Sequence, residues 1–289
     1  MRILVTGSRG QLGRACLEVF AAAGHDTGGV DLPESDLSRD GVAAGLLAGS
    51  AWDRVVHCAA YTAVDRAETE RAAAEAGNAT ATERVAAACQ ARGVALTHLS
   101  TDYVFAGDDP AGYREDAPRD PANHYGRTKA RAEEAVERLT VPWQIVRTSW
   151  LFGHGPANFV RTIRRLLGER ETLRVVDDQR GSPTYAPDLA ALLLHLVERG
   201  AEGVFHGTNA GHTTWFGFAR EIARLGGEDP GRISPCATSE FPTPARRPAC
   251  SILLDTRLAE LGVPRAPDWR DALARYLRWL EQNEERTRP

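Results

Sequence analysis

The chain has 289 residues, 43% hydrophobic and 26% charged, with a net charge of −4 and a pI near 6.1. This balance excludes a disordered chain and supplies no global basic field for nucleic acid or an anionic membrane. The sequence contains no run of about 18 apolar residues, so we expect no transmembrane helix. The start of the chain lacks a signal-peptide pattern. The five cysteines are widely spaced without a CxxC pair, so we expect no disulfide framework, no zinc site and a cytoplasmic location.

The basic residues are unevenly divided between the two types. The chain has 34 arginines and a single lysine, Lys129. GC-rich coding explains the excess of arginine. That explanation leaves open why position 129 keeps a lysine. The compact ammonium of lysine and the planar guanidinium of arginine are not interchangeable.

Predicted elements alternate in the first half between short β-branched strands and Ala-rich helices. In chain order they are a strand at 3–5, a helix near 11–23, a strand just before residue 31, a strand at 55–56, helical sequence near 64–91 broken at 77–78, a strand at 94–99, a helix near 123–139 and a strand at 144–146. Strands that alternate with helices are typical of βαβ units. We therefore predict an α/β fold with a doubly wound, Rossmann-type parallel sheet.

The second half is less regular. Helical patterns lie near 157–168, 187–199, 215–226 and 268–283, and a Pro-rich segment at 235–248 predicts an ordered loop. We expect a dinucleotide-binding domain over 1–150, to which residues near 170–200 return. A smaller, mostly helical and discontinuous substrate lobe would cover most of 151–289. The ligand cleft would then lie between them, at the carboxyl ends of the strands.

A glycine-rich loop follows the first strand, with Gly7, Gly10 and Gly13 in a GxxGxxG spacing. Between a strand and a helix, such glycines allow a tight turn, close approach of a pyrophosphate and close helix packing. The helix N-terminus adds free N–H groups and a positive dipole end. The loop predicts a dinucleotide site, whose other candidate contacts are Arg9, Gln11 and Leu12.

The choice between NADH and NADPH stays open. Asp31 lies 18 residues after Gly13, where a carboxylate would bind the ribose 2′-OH of NAD and repel a 2′-phosphate. Arg9, inside the loop, would instead pair with that phosphate. Asp36 and Leu37 are candidates to flank the adenine.

Tyr125 and Lys129 form a YxxxK pattern at the start of a predicted helix. The i, i+4 spacing puts both side chains on one helical face. An ammonium beside a phenol favours the phenolate, so we expect Lys129 to lower the pKa of Tyr125 and make it a usable proton donor to a carbonyl oxygen. A hydroxyl from the sequence Ser100–Phe105 would bind the same oxygen.

These motifs together resemble the extended short-chain dehydrogenase/reductases, and more closely the dTDP-4-dehydrorhamnose reductase family. The likeness runs in order along nearly the whole chain, through the segments at 57–68 (HCAAYTAVDRAE), 100–105 (STDYVF), 147–150 (RTSW), 178–184 (DQRGSPT) and 243–248 (TPARRP).

The resemblance implies roles for matching residues. It places Thr101, Tyr125 and Lys129 on the catalytic positions. It adds to the cofactor site Ala59, Ala60 and Tyr61. It assigns to the substrate, besides Thr101, the residues Thr62, Val64, Asp102, Tyr103, Trp150 and Asn158, with Arg246 as the candidate for the diphosphate.

Two departures concern a metal that some family members hold between subunits through glutamates. The early-helix glutamate is absent, since Arg14, Ala15 and Cys16 follow Gly13, and Pro187 occupies the second expected position. We therefore predict no metal, and either a monomer or a homodimer. His124, beside Tyr125, is assigned no role.

The resemblance implies an NADPH- or NADH-dependent reduction of the C4 ketone of a dTDP-4-keto-6-deoxyhexose, most simply giving dTDP-L-rhamnose. Alternatives are a ketoreductase for another nucleotide deoxysugar, such as a dihydrostreptose precursor, and less favourably a dehydratase or epimerase with retained NAD. A regulatory subunit without catalysis is a further alternative, because this fold also serves as a binding module.

Overall fold

The structure is a computed structural model that describes residues 1–49, 51–155 and 157–285. Its strands are β1 (Arg2–Thr6), β2 (Asp26–Val30), β3 (Arg54–His57), β4 (Ala95–Thr101), β5 (Trp143–Thr148), β6 (Leu151–Phe152), β7 (Leu173–Val176), β8 (Arg180–Gly181), β9 (Thr184–Tyr185), β10 (Gly203–His206), β11 (Thr213–Thr214), β12 (Ile233–Cys236) and β13 (Cys250–Ser251). Its α-helices are α1 (Gln11–Ala22), α2 (Val42–Ala48), α3 (Arg71–Ala74), α4 (Ala81–Arg92), α5 (His124–Glu137), α6 (Phe159–Glu169), α7 (Ala186–Glu198), α8 (Trp215–Leu225), α9 (Thr256–Glu260) and α10 (Trp269–Glu285).

Within the described residues, the main sheet has six parallel strands in the order β10-β5-β4-β3-β1-β2. This confirms the Rossmann-type parallel sheet. The chain order reverses between β1 and β3, which makes their carboxyl ends the switch point where such sheets bind ligands.

Helices cover both faces of the sheet. Successive side chains of a strand point to opposite faces, so each strand contributes to two apolar layers. On one face Ile3, Val5 and Val56 pack with apolar residues of α1 and α7. On the other, Leu4, Val55 and Leu96 pack with α2 and α4. Near-continuous apolar strands are what a sheet buried on both faces requires.

The predicted break at Gly77-Asn78 is wrong. Residues Glu75–Thr80 form a π-helical turn that joins α3 to α4 without leaving the helix. The wider turn directs the buried Asn78 side chain at the backbone of Tyr61, whose N–H it accepts at 2.8 Å and whose carbonyl it reaches at 3.2 Å. Gly77 and Asn78 disfavour a regular α-helix, but the hydrogen bonds of the Asn78 side chain to Tyr61 stabilise the π-helical turn.

A second apolar cluster lies in the C-terminal half, where aromatic residues of α8 and α10 pack on α6, β6 and β9. Short strands missed by the sequence analysis accompany these helices, in one three-stranded and two two-stranded sheets of the described chain. β10 and α7 return to the main sheet and its covering layer. The boundary between two domains at residue 150 stays a prediction. Among the described residues, no helix is both long and apolar enough to cross a lipid bilayer.

Candidate active site

A cavity of about 920 Å³ opens at the carboxyl ends of the parallel strands. Its walls come from the segments that follow β1, β2, β3, β4 and β5, together with the first turns of α5. The cavity therefore lies at the switch point, where the fold predicts it.

The loop after β1 is shaped for close approach. Gly7 has a φ of +65°, and a Cβ there would lie 2.7 Å from the Ala59 backbone nitrogen. A Cβ on Gly13 would lie 2.1 Å from the Gly7 carbonyl oxygen. Larger residues would push α1 away from β1 and fill the space at the helix N-terminus. This cradle fits the pyrophosphate of a dinucleotide.

Two candidates for cofactor choice contact each other. The Asp31 carboxylate accepts the Arg9 backbone N–H at 2.7 Å and the Leu32 N–H at 2.8 Å. The exposed Arg9 guanidinium bonds the Leu32 carbonyl and the Glu34 carboxylate, each at 2.9 Å. Asp31 thus holds the loop, while Arg9 lies at the rim of the cavity, paired with a residue that the sequence analysis did not single out.

The other cofactor candidates all line the cavity: Gly10, Gln11, Leu12, Asp36, Leu37, Ala59, Ala60 and Tyr61. Asp36 accepts bonds from Ser38, which lower its pKa. The Tyr61 hydroxyl donates to Glu70 at 2.6 Å.

Thr101, Tyr125 and Lys129 meet in the same cavity. Thr101 ends β4, and its hydroxyl donates to Asp102 Oδ1 at 2.8 Å while accepting the Tyr103 N–H at 3.2 Å. Tyr125 and Lys129 lie one turn apart on α5 and are 8% and 2% exposed. The YxxxK spacing thus delivers both groups to the end of β4.

The start of α5 fixes Tyr125. Asn123 caps the helix by accepting the Gly126 N–H at 2.8 Å, and its amide donates to the Arg246 carbonyl at 3.0 Å. The Tyr103 ring meets Tyr125 edge-on, with centroids 5.6 Å apart. Gly126 permits this contact, since a Cβ there would lie 2.1 Å from the Tyr103 carbonyl oxygen.

The expected lowering of the Tyr125 pKa is wrong for this geometry. Burial raises the pKa of Tyr125, the charges of Asp102 and Tyr103 raise it further, and a hydrogen bond with Thr101 opposes them. The Lys129 ammonium donates instead to the Leu99 carbonyl at 2.7 Å and lies 3.2 Å from His98 Nε2. Tyr125 is therefore held protonated, the form in which it can donate a proton.

Burial also shifts the two neighbouring charges. It lowers the pKa of Lys129 to about 8, against the attraction of Glu133. It raises the pKa of Asp102 to about 6, against hydrogen bonds that favour the carboxylate. Asp102 Oδ2 is buried without a hydrogen-bond partner in the described structure. Asp102 lines the cavity, but this oxygen is itself buried, and the nearby Ser251 hydroxyl also favours the charged carboxylate.

Trp150 is held in an unusual conformation at the cavity wall. Its φ of +46° is left-handed, a region that a non-glycine residue rarely adopts. Its indole stacks on Trp215 with centroids 3.6 Å apart and planes 8° apart, and Gly181 leaves room for the ring edge. Strain of this kind persists where the surroundings impose it, as they do at binding sites.

The remaining substrate candidates divide into two groups. Thr62, Val64 and Tyr103 line the cavity, whereas Asn158 and Arg246 are not among its lining residues. Asn158 caps α6 and donates to the Tyr276 hydroxyl at 2.8 Å, the Gly153 carbonyl and Gln11 Oε1. Arg246 is exposed.

Three residues that contact the site were missed by the sequence analysis. Arg247, next to Arg246, donates to the Tyr103 hydroxyl at 2.8 Å and pairs with Asp65. Asn78 joins Tyr61 to Thr128 on α5. His98, buried inside β4, faces Lys129. For two of these residues the sequence carries a signal: Asn78 is a polar residue within a helical segment, and His98 is a polar residue within an apolar strand.

Comparison with known proteins identifies the family. The model of the RmlD substrate binding domain matches residues 1–282. The chain belongs to the dTDP-4-dehydrorhamnose reductase family. Over 94% of the chain it is 40% identical to the dTDP-4-dehydrorhamnose reductase of Mycolicibacterium smegmatis, of which 84% is covered.

Two further similarities describe the range of this family. The chain is 41% identical, over 94% of its length and 93% of the relative, to a probable dTDP-4,6-dihydroxy-2-methyloxan-3-one 4-ketoreductase of Streptomyces antibioticus. It is also similar to the crystal structure of the Bacillus anthracis dTDP-4-dehydrorhamnose reductase in complex with NADP. That structure has a TM-score of 0.92 and 38% identity, covering 95% of this chain and 98% of the other. A nicotinamide dinucleotide site on this fold is thus confirmed.

In the part of the chain that the structure describes, no group of three or more His, Cys, Asp or Glu side chains could hold a metal ion.

Proposed function

We propose that this chain reduces the C4 ketone of a dTDP-4-keto-6-deoxyhexose with NADPH or NADH, most simply converting dTDP-4-dehydro-L-rhamnose to dTDP-L-rhamnose. The observation that carries the proposal is the meeting of Thr101, Tyr125 and Lys129 beside the glycine cradle of one cavity. The family membership supplies the substrate class.

The chemistry needs a hydride, a proton and a place for developing charge. When bound, the reduced nicotinamide supplies the hydride that goes to sugar C4. Tyr125 donates its phenolic proton to the oxygen at C4. The Thr101 hydroxyl, which in the structure donates to Asp102 Oδ1, turns its one proton to that oxygen when the substrate binds. Lys129, which lines the same cavity, binds the ribose hydroxyls of the cofactor. The raised pKa of Tyr125 keeps the donor loaded before the hydride moves.

Binding of the nucleotide sugar is assigned to cavity residues that follow β3, β4 and β5. Thr62, Val64, Asp102, Tyr103 and Trp150 are proposed to contact the sugar, since all five line the cavity. Arg246 stays the candidate for the diphosphate, since its neighbour Arg247 is already paired with Asp65. A substrate contact from Asn158 requires it to release one of its present partners.

The decisive experiment follows NAD(P)H oxidation at 340 nm with dTDP-4-keto-6-deoxyglucose, with and without a 3,5-epimerase that first isomerises the sugar. We expect epimerase-dependent oxidation and, by NMR, dTDP-L-rhamnose. Oxidation without the epimerase would instead assign the chain to another 4-ketosugar, an outcome that the similarity to the Streptomyces antibioticus ketoreductase keeps in view.

Tyr125→Phe tests the proton donor. Because the variant loses only the phenolic hydroxyl, turnover should fall at least about 100-fold, the usual worth of general acid catalysis, while NADPH affinity changes little. Near-normal turnover would contradict the role of Tyr125. Absence of oxidation by the wild-type protein with every ketosugar, together with tight binding to a partner enzyme, would favour a regulatory subunit.

We also propose a cytoplasmic site of action for this enzyme, as a monomer or homodimer. All five cysteines are free, which suits a reducing compartment. Sedimentation of the purified chain measures the oligomeric state directly.

A further inference from the structure

Two histidines face each other in the middle of the parallel sheet. His57 on β3 is in register with His98 on β4, both are fully buried, and their ring centroids are 5.5 Å apart. A buried imidazole costs free energy unless its nitrogens find partners. The contacts of the two rings therefore show what each is for.

The two rings differ in their partners. His57 is satisfied on both sides, by Thr6 Oγ1 at 2.7 Å and Thr82 Oγ1 at 3.2 Å. In the described structure His98 has one partner: its Nε2 lies 3.2 Å from the Lys129 ammonium, while its Nδ1 is buried without any. An apolar residue at position 98 would avoid the cost of that unpaired nitrogen. The contact of Nε2 with Lys129 is therefore the reason for a histidine at this position.

The chemistry of the pair fixes the proton on the ring. An ammonium only donates hydrogen bonds, so His98 Nε2 must accept and the ring proton must sit on Nδ1. Burial, with the charge of Lys129 and of His57, lowers the pKa of His98 well below its usual range, which keeps the ring neutral and able to accept. The Leu99 carbonyl takes a second ammonium proton at 2.7 Å. One N–H of Lys129 then remains for the cavity that this residue lines.

We propose that His98 is a positioning residue that holds the Lys129 ammonium with Nε2, so that the remaining N–H is aimed at the cofactor ribose. The proposal rests on the function proposed above and adds a residue to it. The titratable groups facing Lys129 are His57, Cys58, His98 and Glu133. Among these four, within the described structure, His98 is the group that hydrogen-bonds the ammonium.

The test compares His98→Leu, which removes the acceptor, with His98→Gln, whose amide oxygen restores one. We expect His98→Leu to weaken NADPH binding and to lower kcat, each by about tenfold, as loss of one hydrogen bond to a charged group does. The alkaline limb of kcat/KM should move to lower pH, because the charged form of Lys129 loses an acceptor. His98→Gln should recover most of all three.

His206→Leu is the matched control. This histidine is also buried in the main sheet, and its Nδ1 bonds the Leu254 carbonyl at 3.0 Å. Its loss should lower the melting temperature but leave NADPH affinity and the pH profile unchanged. If His98→Leu behaves in the same way, with stability as the only property altered, the proposal is wrong.

Two measurements keep the test independent of folding and of turnover. Nitrogen NMR of the wild-type imidazole rings should show the His98 proton on Nδ1, and a proton on Nε2 at neutral pH would overturn the proposal. NADPH binding is titrated by fluorescence without substrate. Failure of the wild-type protein to reduce any ketosugar contradicts the proposed function, whereas these two results still decide the role of His98.

Discussion

Lys129 shows at the scale of one residue why the chain keeps a single lysine. Its ammonium lies 2.7 Å from one β4 carbonyl oxygen and 3.2 Å from a β4 imidazole, with 2% of the residue exposed. A guanidinium is planar and larger, and it remains charged at every working pH. The site therefore accepts a compact cation, and burial has already lowered the pKa of that cation to about 8.

Lys129→Arg should lower turnover at least about tenfold, or about 1.4 kcal/mol of barrier, because the larger cation displaces Tyr125 or the ribose. Steady-state kinetics with saturating NADPH measures this. Arg127→Lys is the control, since Arg127 is exposed on the same helix and should tolerate the exchange. Full activity of the Arg variant would make the lone lysine a coincidence of composition.

Glu133, one turn beyond Lys129, is the buried anion of the same helix. It accepts from Arg147 at 2.7 and 2.9 Å, from Arg119 at 3.0 Å and from Ser100 at 2.5 Å. These partners lower the pKa of Glu133 against its burial. It therefore stabilises the fold at neutral pH, and that contribution is lost as the pH falls through its folded pKa.

Glu133→Gln should lower the free energy of unfolding at pH 7 by about 3 kcal/mol, because it leaves the buried Arg147 without its counter-charge. Urea denaturation at pH 7 measures the loss, and the difference from wild type should shrink toward acid pH. The substitution also removes the attraction of Glu133, which raises the pKa of Lys129. We expect the activity of the wild type to fall with rising pH near pH 8, where Lys129 loses its proton. The variant should lose activity at a lower pH. Glu134→Gln, on the exposed side of the helix, should change neither property.

At the scale of elements, the junction of α5 with the end of β4 sets the catalytic geometry. The helix begins under the Asn123 cap, and the backbone of Gly126 packs directly on Tyr103. Any side chain at 126 must push the helix away from β4, and Tyr125 moves with it.

Gly126→Ala should lower both turnover and stability, the latter by about 2 kcal/mol, the usual cost of overfilling a packed contact. Its matched control is Gly45→Ala in α2, where an added Cβ meets nothing within 4 Å and should stabilise the helix slightly. Melting curves and kcat for the two variants test the difference. Normal kcat in the Gly126→Ala enzyme would show that the helix start is free to shift.

The same scale shows how far sequence reasoning extends. The βα alternation was predictable because strands buried on both faces are continuous apolar runs, and glycine spacing marks the loop after β1. Two-residue strands such as β8 and β13 carry no periodic signal. The turn at Asn78 depends on side-chain bonds to Tyr61, distant in sequence. In the Pro-bracketed loop no local pattern distinguishes Arg246 from Arg247, since the distant partners Tyr103 and Asp65 decide which arginine turns inward.

At the scale of the whole molecule, one cavity draws its walls from both halves of the chain. The glycine loop and Tyr125 line it together with Trp150, Leu151 and Ala157. A ligand that binds only the folded state should therefore stabilise the complete structure, by about 2.7 kcal/mol at a concentration 100 times its Kd. Cofactor binding can accordingly be measured as a rise in melting temperature.

This linkage provides a test of the choice between NADH and NADPH, which the sequence leaves open. Arg9 is exposed and its pair with Glu34 is solvent-accessible, so the pair is weak and its exchange for a 2′-phosphate costs little. Arg9→Ala should reduce the rise in melting temperature produced by NADPH and leave that produced by NADH unchanged, because NADH alone lacks the 2′-phosphate. Arg92→Ala, an exposed change on α4 away from the cavity, should alter neither. Equal losses for both cofactors would assign Arg9 to the folding of its loop, which its bond to Leu32 already supports.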